Sequence, residues 1–387
     1  MVFFVAMGLS IIIPTIPIFA RDFGATDLMI GALIAGFGVA RVVFDLPVGL
    51  IAERFNHKKL LQIGLLIIVI SSVGAAFATN YWLLLTARIL EGIGSAFYMI
   101  TSTTMLNSVV SPKNRGKALS YYTAALLLGP SVGPIIGGIV MTTYGARAPF
   151  LFYAGFVGIG MILAHLMLRD YSQKQIKEKR TLNFMGLLRD RSVILVSLAT
   201  FALAFMWTGL ELTVIPIFAY DNLLLNPTGL GMALSLAAGA NFLTTLIAGY
   251  ATDRLGRKIP IVIGLFAAAS VALLVSLADS FGTFALFMFF YGAATGVWGQ
   301  TAAWAADLAP ENKMGTMMGI NRTMGDIGFV IGPLLLGYLA GIGNTDFVGP
   351  APFYVTSAIM ALVGLLVIFA RDPVRMKNMS KYDPETN

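Results

Sequence analysis

The sequence predicts an all-α membrane protein of twelve transmembrane helices in two parallel six-helix repeats. Three observations carry that prediction: an apolar composition, twelve apolar runs of spanning length, and an internal match at an offset of 199–200 residues. Hydrophobic residues make up 57% of the 387 and charged residues 12%, about half the charged content of soluble domains. A soluble core cannot hide that much apolar surface, so lipid must cover most of it.

The runs fall at 1–20, 28–51, 60–79, 82–110, 118–140, 149–168, 193–219, 229–251, 259–278, 284–306, 317–340 and 352–370. Each matches or exceeds the ~20 residues that cross a bilayer, and the longer ones tilt or pass its edge. No cationic stretch precedes the first run, so Met1–Ala20 reads as a retained helix rather than a cleaved signal peptide. The one long polar stretch, 169–192, carries the run Lys174–Arg180 and divides the helices six and six. The predicted organisation is a bundle at 1–168, a cytoplasmic linker at 169–192, a second bundle at 193–371 and a tail at 372–387.

The net charge of +7 invites a nucleic-acid reading, but the placement of the basic residues argues otherwise. Of 26 Lys and Arg, 21 lie in the loops after even-numbered helices or in the tail. Arg21 and Arg147 alone lie on the other side, and Arg41, Arg88 and Arg322 lie inside helices. Positive charge marks the cytoplasmic face. Both termini and the linker are therefore expected in the cytoplasm, with the protein in the cell (inner) membrane and no nucleic-acid partner.

Three matches at one offset establish the repeat. Ile16–Asp22 (IPIFARD) recurs as Ile215–Asp221 (IPIFAYD), Gly49…Glu53-Arg54 as Gly249…Asp253-Arg254, and Gly133-Pro134 as Gly332-Pro333. Six helices separate the copies, so both share one orientation. Their symmetry axis should follow the membrane normal, with a substrate site between halves near the midplane.

The loop after helix 2 runs Gly49…Glu53-Arg54…His57-Lys58-Lys59, and its copy Gly249…Asp253-Arg254…Arg257-Lys258. Glycine permits close helix approach, and the basic cluster anchors a turn at anionic lipid. This pattern resembles the signature loop of the major facilitator superfamily. The resemblance implies a conformational gate formed by Gly49, Glu53, Arg54, Gly249, Asp253, Arg254 and Arg257. The first copy departs from it, with Glu53 for Asp, Asn56 for Gly and His57 for Arg. Helix 5 carries Gly129-Pro130…Gly133-Pro134…Gly137-Gly138, a flat packing face with proline kinks. Helix 11 repeats it more loosely as Gly328…Gly332-Pro333…Gly337, and helix 1 carries Gly8…Pro14…Pro17. These resemble motifs of exporters in that superfamily, above all the twelve-helix drug:proton antiporters.

Ionisable residues within spans are functional candidates, since a mid-membrane arginine costs ~3 kcal/mol on insertion scales. Arg88 and Glu91, three apart on helix 4, share a face and can neutralise each other; in the superfamily this arginine is linked to proton transfer. Arg41/Asp45 and Arg322/Asp326 are each four apart, near the cytoplasmic ends of helices 2 and 11, and read as pairs along one helix face, with Asp45, Arg322 and Asp326 counted among the gating residues. Glu211 lies mid-helix, five residues before Pro216, without a basic partner nearby on its own helix. The resemblance implies that helices 1, 4, 7 and 10 line the cavity, so Glu211 should face the pathway. Trp207, Trp298, Trp304 and Tyr98 are aromatic candidates for the same cavity, and Arg41 is a candidate anion contact. Asp307 on helix 10 matches Asn107 on helix 4 and belongs with the signature loop.

Other chemistry is not foreseen. With no cysteine and only His57 and His165, neither thiolate chemistry nor a histidine-built metal centre is available. The chain has no P-loop and hence no nucleotide engine, and its loops are too short for a soluble catalytic domain. The expectation is a cofactor-free, non-enzymatic transporter acting as a monomer by alternating access. It exports small lipophilic or amphipathic compounds in exchange for protons, through Glu211, Glu91 and Arg88. Burial penalises the charged form of a carboxyl, so such a group can hold a proton in one state and release it when water or a cation arrives. The rival readings are a symporter or uniporter of a polar or anionic metabolite and, further off, a transport-like receptor or an intramembrane enzyme.

Overall fold

The computed structural model describes residues 1–52, 55–110, 115–168, 187, 189–310, 313–342 and 347–374. Glu53 and Arg54 lie outside the described residues, as does most of the stretch 169–192. Among the described residues the helices group into twelve segments: α1 (Val2–Ile11 and Ile16–Arg21), α2 (Asp27–Ala52), α3 (His57–Ala76), α4 (Tyr81–Val109), α5 (Arg115–Tyr144), α6 (Ala148–Met167), α7 (Arg191–Asp221), α8 (Pro227–Leu255), α9 (Lys258–Val275), α10 (Phe281–Asp307), α11 (Met314–Ala340) and α12 (Ala351–Val367). Ten of the helices are long and apolar enough to cross a membrane, and α12 and the first piece of α1 are shorter apolar helices. Large apolar side chains point outward, Trp82 at 70% and Leu46 at 73% exposure among them. A water-soluble protein does not tolerate that outer surface.

Two of the spans are interrupted. A turn at Ile12–Thr15 interrupts α1, where Pro14 has no N–H to continue the ladder and Pro17 restarts it. At Gly296–Val297, α10 breaks into Phe281–Thr295 and Trp298–Asp307.

The repeat is visible in the caps and in the packing. Thr26 and Asn226 accept bonds from the N–H groups of Met29 and Gly229 at the starts of α2 and α8. Asn80 and Ser280 do the same for α4 and α10. In the first bundle α1 packs on α5 and α6, α2 on α4, and α3 on α4 and α6; in the second, α7 packs on α11 and α12, α8 on α10, and α9 on α12 and α10. The bundles meet along two antiparallel seams, α2 with α11 and α5 with α8.

Both seams are sealed on the side away from the basic loops, and small residues make the seal. Gly31 of α2 lies on the carbonyl of Pro333, and its mirror Gly231 of α8 lies on the carbonyl of Pro134. Gly138 meets Pro227, and Gly337 meets Asp27. Arg21 closes the ends of α1 and α7, with Nη1 and Nη2 at 2.5 and 2.7 Å from the Asp221 carboxylate and Nη2 at 2.9 Å from Asp27. Tyr220, which stands where the first repeat has Arg21, donates across the same gap to the Pro14 carbonyl. On the basic-loop side the described part of α5 from Ala118 to Leu128 has no buried residue. The protein is thus closed on the far side and open towards the basic loops.

A side chain at Gly231 has no room, because even a Cβ would collide with backbone. Gly231→Leu should therefore prise the far side apart, since overpacking costs about 1–3 kcal/mol. An impermeant maleimide added from the far side should label Ser10→Cys, which faces the cavity, about tenfold faster in the leucine variant, a bias of roughly 1.4 kcal/mol. An unchanged labelling rate would show that the glycine contact does not set this equilibrium.

Candidate functional site

The glycine-rich face of α5 positions α1 beside the central cavity. Gly129 and Gly133 lie against Met7, Gly137 against Ile11, and Pro130 and Pro134 remove two N–H donors from the helix at this level. Gly328 and Gly332 of α11 repeat this against Phe201 and Phe205 of α7, with Gly209 of α7 packed on Gly332. Between these supports lies a cavity of about 410 Å³ bounded by both bundles.

Glu211 enters that cavity from an element the sequence did not reveal. Met206–Val214 of α7 is a π-helix, a wide turn found often at functional sites. Thr213 Oγ1 donates to the Thr208 carbonyl five residues back at 2.9 Å, and Tyr291 Oη of α10 donates to the Met206 carbonyl at 3.2 Å. Trp207 and Tyr291 flank the Glu211 carboxylate, and among the described residues no basic side chain forms a salt bridge with it. Trp207 stacks at a tilt on Trp298 at 5.2 Å and meets Phe329 edge-on at 5.7 Å. Tyr98 and Arg41 also line the cavity. Trp304 does not: it is wholly buried in the second bundle, where its Nε1 donates to the Arg371 carbonyl at 2.9 Å.

Arg88 Nη1 and Glu91 Oε2 lie 2.5 Å apart, with side chains 5% and 2% exposed. The Arg88 guanidinium also sits 5.0 Å over the Phe37 ring. The pair is held within α4 as its spacing implied.

The other two intramembrane pairs are not along their own helices. Arg41 of α2 bonds Asp326 of α11 at 3.0 Å, and Arg322 of α11 bonds Asp45 of α2. Only a 3.8 Å Arg322–Asp326 approach remains within one helix. The two helices are antiparallel neighbours, so a carboxylate across the seam lies in more direct reach than one a turn away. Helix spacing alone could not show this.

The second signature loop forms a compact charge group. Arg257 reaches Asp307 at 2.8 Å, Asp253 at 3.0 Å and Thr252 at 3.0 Å, and Arg254 lies 4.3 Å over the Tyr250 ring. Gly49 and Gly249 depart from expectation: nothing lies within 4 Å of a Cβ at Gly49, and only Gln300 Nε2, at 3.7 Å, at Gly249. Both face the side on which the bundles stand apart, so neither mediates close packing in this conformation. The Asp253 side chain is 70% exposed, and such pairs contribute about 0–1 kcal/mol. Asp253→Asn should leave folding and thermal midpoint unchanged. If Asp253 has its main partner in the other conformation, transport should fall about fivefold or more. Unchanged transport kinetics would reduce the loop to a topological anchor.

Sequence reading missed Phe37, Asn241 and Phe329 of the cavity wall. The repeat held a signal for one of them, since Asn241 stands where the first repeat has Arg41. Among the described residues no group of three or more His, Asp or Glu side chains is placed to hold a metal ion.

Comparison with known proteins agrees with this architecture. The sequence profile described as Major Facilitator Superfamily matches residues 1–221 and 196–384. The chain is 28% identical to an uncharacterised MFS-type transporter of Methanocaldococcus jannaschii, covering 94% of each chain. It is 26% identical to multidrug resistance protein 2 of Bacillus subtilis, covering 94% of this chain and 91% of the relative. It is 24% identical to quinolone resistance protein NorA of Staphylococcus aureus, covering 97% and 96%. Among solved structures, a bacterial homologue of the human lysosomal transporter Spinster, inward-facing and unoccupied, superposes with a TM-score of 0.73 at 15% identity over 98% of this chain and 96% of that one.

Proposed function

The chain belongs to the major facilitator superfamily, and we propose that within it this protein is a proton-coupled exporter of small lipophilic or amphipathic compounds. The observation that carries the proposal is Glu211, a carboxylate without a basic partner in a cavity otherwise walled mainly by aromatic and aliphatic side chains. A proton and a cationic substrate compete for one such group, which is the simplest chemistry for exchange. The aromatic wall of Trp207, Trp298 and Phe329 suits flat apolar ligands and, through ring faces, cations. The kinship with drug-resistance proteins supports the same reading.

The basic loops mark the cytoplasmic side, which makes the observed opening inward. Both termini lie in the cytoplasm, and the protein works as a monomer in the cell membrane. Symport of an anion is less well supported, because Arg41 and Arg88 are already paired with Asp326 and Glu91. The test is a proton-flux assay in proteoliposomes across a compound panel. Lipophilic cations should move protons the opposite way to themselves. Alkalinisation of the compartment that supplies the compound would instead mark symport, and the absence of any flux would favour a receptor.

A further inference from the structure

We propose that the side-chain oxygen of Asn241 is the second anchor for the cationic head of the substrate, and that it selects ammonium cations bearing an N–H over quaternary ones. The inference takes the cationic substrate from the reading above and adds which cations the site prefers.

Charge is unevenly divided across the cavity. The two guanidiniums among its lining residues, Arg41 and Arg88, belong to the first bundle, whereas the lining carboxylate, Glu211, belongs to the second. Asn241 of α8 stands where the first repeat has Arg41, and Thr295 of α10 where it has Ser95. All four of these residues line the cavity. Matching positions thus present a guanidinium on one wall and a neutral amide on the other. A cationic head seats on the second wall, where Glu211 and the ring faces of Trp207 and Trp298 attract it.

Hydrogen-bond accounting fixes which end of the amide meets that head. Thr295 Oγ1 has one hydrogen, which it donates to the Tyr291 carbonyl at 3.0 Å or to that of Gly292 at 3.2 Å. It can therefore only accept from Asn241, whose Nδ2 donates to it at 3.1 Å. With Nδ2 held in this way, Oδ1 is left as an acceptor, and among the described residues no group donates to it. Tyr291 flanks Glu211 and is one turn from Thr295 on α10, so α10 ties the amide and the carboxylate to one wall. Packing does not require the amide oxygen: Thr245 Oγ1 already joins α8 to the break in α10, donating to the Gly296 carbonyl at 3.0 Å. An ammonium ligand can donate an N–H to Oδ1, a charge-assisted bond. A quaternary cation has no hydrogen to give and leaves a desolvated acceptor unpaired.

The test is a matched pair of probes, naphthylmethylammonium and naphthylmethyltrimethylammonium, which share ring and charge and differ in their N–H groups. Equilibrium binding of each is measured with the purified protein in lipid nanodiscs. Asn241→Leu should weaken the ammonium probe about tenfold, as loss of one charge-assisted bond implies, and leave the trimethyl probe unchanged. Thr295→Val keeps the size of its side chain but frees the amide to turn, and should by itself lower the ammonium affinity severalfold. That variant decides the matter if Asn241→Leu does not fold. A purely structural amide would weaken both probes by one factor. Equal weakening of both probes, unchanged ammonium affinity in either folded variant, or no binding of the ammonium probe by the parent would each overturn the proposal. Glu211→Gln removes a charge that serves both probes and should weaken both alike. If it weakens neither, the reading of Glu211 fails, while the change in probe ratio on Asn241→Leu still supports or overturns the role of Asn241.

Discussion

Glu211→Gln is expected to abolish uphill, proton-driven accumulation, bringing it down to the level of protein-free vesicles. The change keeps the size of the side chain between Tyr291 and Trp207 but removes the group that can exchange a proton for a cation. Folding should survive, because no ion pair of Glu211 is broken. Binding of a neutral substrate should persist and lose its pH dependence, and a cationic substrate should lose affinity as well. The measurement is counterflow and gradient-driven uptake of one compound in proteoliposomes, parent against variant. Uphill export at normal rates in Glu211→Gln would remove Glu211 from the coupling role and leave Glu91 as the next candidate.

Glu91→Gln is expected to cost stability more than coupling. Its carboxylate lies 2.5 Å from Arg88 Nη1, with side chains only 2% and 5% exposed, where Arg88 meets the cavity wall. Removing one member of a buried pair leaves an uncompensated charge, a loss of about 3–5 kcal/mol. The yield of folded protein and its thermal midpoint should fall sharply. Replacing both partners, as Arg88→Met with Glu91→Met, should restore much of that loss, since an apolar pair of similar volume has no charge to strand. The check is a thermal-shift cycle on the two singles and the double. If Glu91→Gln is as stable as the parent yet no longer couples transport to protons, the pair is a proton carrier, and its structural role is minor.

Much of the fold was legible in the sequence because lipid and repetition both leave linear traces. Apolar runs marked every span, and the IPIFARD/IPIFAYD match marked the repeat, at whose two copies Arg21 and Tyr220 reach across the bundles. Glu211 stood out because an unpaired carboxylate in a span is costly unless used. The crossing of Arg41 to Asp326 and of Arg322 to Asp45 was not legible. The four-residue spacing within each helix offers a partner at hand, and only the packing of α2 on α11 brings closer ones. The π-helix around Glu211 has no residue signature, since Thr208 and Gly209 sit equally well in an α-helix. Gly49 and Gly249 misled for another reason: small residues serve whichever conformation brings helices together, and this one holds them apart.

Simultaneous recording of proton and substrate movement in proteoliposomes, with one lipophilic cation and an imposed pH gradient, tests proton-coupled export most directly. The account predicts that substrate addition dissipates the gradient in the parent, with protons and substrate crossing in opposite directions, and that Glu211→Gln shows no such proton movement. Substrate flux with no accompanying protons, or with protons travelling alongside the substrate, would contradict it.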